Sequence, residues 1–216
     1  MLYNKLHQRA GLNQFVLIKK MDAMCESSVI PVGSPETVVT GNDACQWFVM
    51  RDLTRPNAKQ PAYKLLDGMN IRNFTPMVWK LMLNHGKRER RQLPFIHDLL
   101  FVYASRAELD SVVETTPMLQ YRYLRGGYKM PMTVRAADMQ RFIHAVGLSS
   151  SPQYYRPDEV TPAMRNRRIR IIGGNLDGYE GSLITTRGSK VKRLLVEIPM
   201  LLAATVEVET EFIQLL

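Results

Sequence analysis

The sequence predicts an α+β protein in two parts: an N-terminal body built on an antiparallel sheet with flanking helices, then a small all-β unit. Three observations lead there. Residues 44–147 alternate strand-like and helix-like patterns, with one β-hairpin among them. Residues 148–164, LSSSPQYYRPDEVTPAM, hold three prolines and three consecutive serines and read as a linker. Residues 165–216 then carry short alternating runs parted by glycine turns, and no helical stripe.

Taken in order, the elements justify that class. Residues 1–43 end in SSVIPVGSPETVVTGND, rich in Ser, Pro, Gly and Thr, and are expected to be a flexible extension. Trp47 to Arg51 reads as a strand. Asn57 to Met69 places Ala58, Ala62, Leu65, Leu66 and Met69 on a helical stripe. Phe74 to Leu83 is β-rich, interrupted by Pro76, and Asn84-His85-Gly86 turns the chain into Lys87 to Leu93. Leu99 to Tyr103 is a buried strand by composition. Arg106 to Val113 is a helix with Ser105 as its cap. Gln120 to Arg125 alternates as a strand. Val134 to Val146 is a helix with Met139, Phe142, Ile143 and Val146 on one face, ended by Gly147.

The stretch RIRIIGGNLDGYEG at 168–181 poses a choice between a phosphate cradle and a corner. A Walker loop needs Lys and Ser or Thr after its second glycine, and a helix beyond. Gly173 and Gly178 have the spacing, but Tyr179 and Glu180 follow, and Ser182 to Thr186 is β-rich. The dinucleotide fingerprint fails for the same lack of a helix. The reading is a β-corner, with Gly173, Gly174, Gly178 and Gly181 supplying positive φ and close backbone approach.

Charge narrows the partners. The chain carries a net charge of +9 over 216 residues, and residues 44–147 hold sixteen basic against eight acidic side chains. An anionic partner is expected, and its contact is to be sought in that middle segment. No apolar run is long enough to span a membrane, and Phe15 to Ile18 is too short for a signal-peptide core. Cys25 and Cys45 form no CxxC pair, so neither a disulfide framework nor a zinc site is expected, and a reducing cytoplasm is the default compartment. His7, His85, His97 and His144 are scattered without ligand spacing. No metal, cofactor or catalytic residue is expected.

WFVMR at 47–51, FTPMVWKL at 74–81, KRERR at 87–91 and LPFIHDLLFVY at 93–103 together resemble the N-terminal domain of NusG-type transcription elongation factors. RIRIIGGNLDGYEG is similar to the KOW motif that follows it in that family, with Gly181 at the motif's characteristic glycine. The resemblance covers about residues 45–216, in order. It is closest to the specialised paralogues that act as antiterminators for capsular polysaccharide operons. Residues 1–20 have no counterpart there and precede Met21 and Met24; a tail is expected, with a later start codon as the alternative.

The resemblance implies a non-enzymatic, monomeric factor. Its N-terminal domain (44–147) docks on the clamp helices of RNA polymerase and bridges the DNA cleft. Its KOW domain (165–216) recruits Rho, a ribosomal protein or nascent RNA. On the family pattern, Trp47, Ile96, Leu99 and Phe101 form the apolar polymerase-docking edge. Ile96-His97-Asp98-Leu99 stands where the family reads Phe-Pro-Gly-Tyr, so Asp98 replaces a glycine. The alternative for these apolar residues is ordinary core packing. Lys80, Lys87, Arg88, Arg90 and Arg91 would crowd onto one hairpin tip and meet DNA phosphates; the alternative is a solvated, edge-protecting strand. A second functional reading is an RNA- or ribosome-binding KOW protein.

Overall fold

A computed structural model describes residues 44–216, apart from 57, 85, 186 and 187. The extension expected over residues 1–43 lies outside the described residues. The chain is of mixed α/β character, with few helices and three antiparallel sheets. It divides into two compact units between Ala136 and Ala137.

The first unit is organised by strand β1 (Gln46–Asp52). After it come helix α1 (Ala62–Gly68), β2 (Arg72–Phe74), β3 (Met77–Asn84), β4 (Lys87–Pro94) and β5 (Leu100–Ala104). Helix α2 (Arg106–Thr115), β6 (Leu119–Tyr121) and β7 (Thr133–Val134) complete it. The main sheet runs β2-β5-β1-β6, with β7 also paired to β1, and every pairing is antiparallel. β3 and β4 form a separate two-stranded ribbon.

Alternation sorts the side chains of the main sheet. Phe48 and Met50 of β1 join Leu100, Val102 and Ala104 of β5 on one face, where Leu66 of α1, Leu109 of α2, Leu119 and Tyr121 close a core. Trp47, Val49 and Phe101 belong to the opposite face and are buried as well. There the Trp47 ring lies 5.3 Å from Tyr103, and the Arg72 guanidinium sits 5.4 Å from both rings. A strand with no wet face must be apolar nearly throughout, which is how WFVM reads.

Several expected elements come out shorter. The helix expected over 57–69 begins only at Ala62, because Pro61 stands at its N-terminus in extended conformation. The buried Asp52 takes over the capping: one carboxylate oxygen accepts the Ala62 N–H at 3.1 Å, and the other accepts from the Thr54 N–H and hydroxyl. Ser105 caps α2 as expected, its Oγ accepting the Glu108 N–H at 3.2 Å. Thr75-Pro76 splits the expected run at 74–83 into β2 and β3, since proline has no N–H for the ladder. The strand expected over 120–125 stops at Tyr121. Beyond it a loop runs out to Met132, held by Arg122 N–H to Val49 O and Met132 N–H to Arg122 O.

The second unit opens with α3 (Ala136–Leu148), whose buried face is Met139, Phe142, Ala145 and Val146. The boundary between the two compact units lies at the start of this helix, whereas the sequence reading puts it after residue 147. The Tyr179 hydroxyl lies 2.8 Å from His144 Nδ1, and Arg141 stacks 5.0 Å from the Tyr179 ring. These contacts tie α3 to the β-rich part. Strands β8 (Gln153–Tyr155), β9 (Arg168–Ile171), β10 (Glu180–Thr185), β11 (Lys192–Ile198), β12 (Leu202–Val208) and β13 (Ile213–Leu215) form one antiparallel sheet in the order β13-β9-β10-β11-β12-β8.

The stretch expected as a linker is thus not one along its length. Residues 153–155 pair with β12, and Tyr155, Val160 and Met164 pack on Leu195, Ala203 and Ile184. Its prolines favour extended chain, but its apolar side chains bury against one face of β11–β12, and that outweighs the composition.

The glycine corner separates into two kinds of position. Gly173, Gly174 and Gly178 have φ of +92°, +69° and +74°. Gly181 has no such φ; a Cβ there would sit 2.4 Å from the Leu195 carbonyl oxygen and 2.8 Å from a Leu194 methyl. Gly178 has open space around it. Gly181→Ala should therefore cost more than Gly178→Ala: about 1–3 kcal/mol from steric conflict against a backbone atom, set against about 1–2 kcal/mol for one left-handed residue. Urea midpoints of the two variants check the order; equal midpoints would place Gly181 in looser packing than described.

Candidate nucleic-acid interface

The base and the register of the β3–β4 ribbon fix its geometry. At the base, the Phe95 N–H donates to the Pro76 carbonyl at 2.7 Å, and Val78, Leu93 and Phe95 are half-buried. Above them the register is Trp79↔Gln92, Lys80↔Arg91, Leu81↔Arg90, Met82↔Glu89, Leu83↔Arg88. From Trp79 outward every described side chain of the ribbon is exposed. Five basic side chains stand against the single acidic Glu89.

Opposed residues of an antiparallel pair share a face, and neighbours along a strand do not. The basic cluster expected at one tip is accordingly divided. Lys80 and Arg91 lie on one face together with Met82, Glu89 and Lys87. Arg88 and Arg90 lie on the other, with Trp79, Leu81 and Leu83. The guanidinium of Arg90 rests 5.6 Å from the Trp79 ring centre, which agrees with their common face. Arg91 pairs with Glu89 at 2.9 Å, and that exposed pair is worth little in water. All five expected contact residues are on the surface, but they form two cationic faces rather than one.

The expected docking residues fare differently. Trp47 and Leu99 are 1% exposed and Phe101 is 0% exposed. The three are core residues in this structure: Trp47 and Phe101 sit on strands buried on both faces, and Leu99 is buried in the turn just before β5. Ile96 alone stays half-exposed. Asp98, at the position of the family's glycine, receives Arg122 at 3.2 Å and lies 3.8 Å from Arg51. It joins the 95–99 turn to the loop after β6.

Sequence reasoning passed over two exposed features of this unit. One is the apolar row Trp79, Leu81 and Leu83, whose period-two spacing was readable once the strand was placed. The other is the loop at 122–132, where Tyr123, Leu124, Tyr128 and Met130 are exposed among Arg122, Arg125 and Lys129. Its turn uses left-handed Gly126 and Lys129.

In the second unit several arginines are engaged with carboxylates. Arg165 pairs with Glu197 at 2.9 Å, Arg193 with Glu207 at 2.8 Å, and Arg170 with Glu180. The hydrogen bond from Arg170 holds the Glu180 carboxyl below its ordinary value. In the glycine corner the Gly173 N–H donates to the Asp177 carboxylate at 2.6 Å. A carboxylate occupying the loop amide is the opposite of a phosphate cradle. Among the described residues no group of three His, Cys, Asp or Glu could hold a metal ion, and no helix is long and apolar enough to cross a membrane.

No family model and no curated protein matches the sequence. One solved structure, described as domain interaction in Thermotoga maritima NusG, is similar over 81% of this chain and 98% of its own, at 14% identity and a TM-score of 0.41.

Burial separates the expected docking residues experimentally. Leu99→Ala should lower stability by about 2–5 kcal/mol, as for a fully packed leucine. Ile96→Ala should cost under about 1.5 kcal/mol because its site is half in water. Chemical denaturation reads both. A Leu99 variant as stable as the parent would return that residue to the surface.

Proposed function

We propose that the protein is a transcription elongation and antitermination factor that engages RNA polymerase through its N-terminal unit and nucleic acid through the β3–β4 ribbon. The observation that carries this reading is the ribbon itself: a two-stranded element outside the main sheet, exposed from Trp79 outward, with five cations and one carboxylate. Such a field attracts a polyanion. The ordered motifs at 47–51, 74–81, 87–91, 93–103 and 168–181 support the assignment to the transcription machinery, as a NusG-like factor of the capsular-operon antiterminator kind acting in the cytoplasm.

The polymerase contact on this reading is narrower than the sequence implied. Trp47, Leu99 and Phe101 support the surface from beneath, and Ile96 is the residue of that set that reaches it. The factor makes and breaks no bond; it works by holding polymerase and nucleic acid together. The β9–β10 corner and the strands after it form the KOW unit, which recruits a protein partner such as Rho or a ribosomal protein.

The reading of the chain as a general RNA- or ribosome-binding KOW protein finds less support. Arg165, Arg170 and Arg193 of the second unit already face glutamates, so a nucleic acid would have to displace those pairs.

Two measurements test the proposal. The full chain should retain purified RNA polymerase in a pull-down, and Ile96→Glu should weaken retention while the fold persists. In titrations against polymerase on a DNA–RNA scaffold, alanine at Lys87, Arg88, Arg90 and Arg91 should shallow the salt dependence by roughly one unit per lost phosphate contact. It should change binding to free polymerase little. An unchanged salt slope would reduce the basic run to a solvated face, and no retention of polymerase would remove the transcription reading.

A further inference from the structure

The segment at 149–164 is fastened to the sheet of the second unit by contacts that can part without harm to the sheet. Strand β8 is three residues long and pairs at the sheet's end with β12, whereas β11 and β12 are each seven residues long and pair throughout. The register of the short pair is Gln153↔Thr205, Tyr154↔Ala204 and Tyr155↔Ala203. A polar clamp stands where the segment begins. Arg193 of β11 and Glu207 of β12 are opposed in register and pair at 2.8 Å. Arg193 also donates to the Ser151 carbonyl at 3.0 Å, the Ser151 Oγ at 3.2 Å and the Thr205 carbonyl at 3.3 Å. The Ser151 hydroxyl donates to Glu207 at 2.6 Å. Farther along, Tyr155, Val160 and Met164 cover Leu195, Ala203 and Ile184.

We infer that residues 149–164 are a releasable strap, which withholds the β12 edge and the Leu195–Ala203 patch until an extended segment of a protein partner takes its place. The clamp favours this over a permanent strand. When the strap leaves, Arg193 keeps both Glu207 and the Thr205 carbonyl, so neither charge of the pair is left alone. Only the contacts to Ser151 are given up, and water replaces them. The fit of the strap is also incomplete. Ser149 Oγ, and Thr205 Oγ1 on the residue opposite Gln153, are buried without a hydrogen-bond partner. A strand that satisfies them competes on better terms. Release bares the N–H and C=O groups of residues 203–205 along a sheet edge, which is a template for strand addition. The patch beside that edge supplies an anchor: Leu195 and Ala203 are each 2% exposed under the strap and accept an aromatic side chain in the place of Tyr155. A nucleic acid brings no backbone that pairs with β12, and Glu207 repels its phosphates.

This inference rests on the reading of the second unit as a module that recruits a protein, but its test requires neither polymerase nor a natural partner. The probe is a fluorescently labelled synthetic peptide of residues 149–164, SSSPQYYRPDEVTPAM, titrated into the full chain by anisotropy. In the parent the strap competes at the high effective concentration of a linked segment, so the free peptide should bind weakly. Tyr155→Ala with Val160→Ala loosens the strap and leaves every residue of β11 and β12 in place. That variant should bind the peptide at least about ten-fold more tightly than the parent, and a scrambled peptide should bind neither. Hydrogen–deuterium exchange of the parent is a second measurement and needs no variant. The protected amides within 153–155 should exchange at least about ten-fold faster than those pairing β11 with β12, because the strap opens by itself. Equal exchange of the two sets would make β8 a permanent strand and overturn the strap. Equal peptide binding by the parent and a folded variant would do the same, as would a scrambled peptide binding as tightly as the true one. Where the variant does not fold, the exchange of the parent decides.

Discussion

Strand β1 pairs along both of its edges, with β5 on one side and with β6 and β7 on the other, and it is buried on both faces. That single constraint arranges the first unit. A strand in this position has no side chain to spare for a partner: Phe48 and Met50 serve one core, and Trp47 and Val49 the other face. The same holds for β5, where Leu100 and Val102 face the helices and Phe101 faces away from them. Any surface that recognises another molecule must come from elements leaving this sheet. Among the elements that leave it are the 95–99 turn, the loop after β6, and the β3–β4 ribbon.

The ribbon differs from the main sheet in what holds it. An isolated pair of strands is marginal in water. This one is secured at its base by Val78, Leu93, Phe95 and the Phe95–Pro76 hydrogen bond, and then runs outward with no core of its own. The second unit is built on the contrary principle. Arg165, Arg170 and Arg193 are matched to glutamates, and its corner depends on Gly181 passing within contact of the Leu195 carbonyl.

Much of this was legible in the sequence, for identifiable reasons. The buried strands at 47–51 and 99–103 announce themselves by unbroken apolar composition. The helix capped by Ser105 carries its signal in adjacent residues, and the glycine corner fails both phosphate-loop templates at named positions. What was not legible depended on pairing. Whether Trp47, Leu99 and Phe101 face a partner or a core is decided by the strands beside them, not by their own chemistry. The division of Lys80, Lys87 and Arg91 from Arg88 and Arg90 follows from register, which a run of five basic residues near one turn does not reveal. The stretch at 148–164 reads as a linker by its prolines and serines, while a tyrosine, a valine and a methionine within it bury on the sheet.

The central claim is that the β3–β4 ribbon, and not the β-rich second unit, is where this protein meets nucleic acid. Hydrogen–deuterium exchange of the full chain, free and bound to polymerase on a DNA–RNA scaffold, tests it most directly. A ribbon without its own core opens locally and exchanges fast when free. The account predicts that amides of residues 79–92 slow markedly in the complex, while those of β1 and β5, already doubly paired, stay as they were. Protection confined to residues 168–208, with the ribbon unchanged, would contradict it.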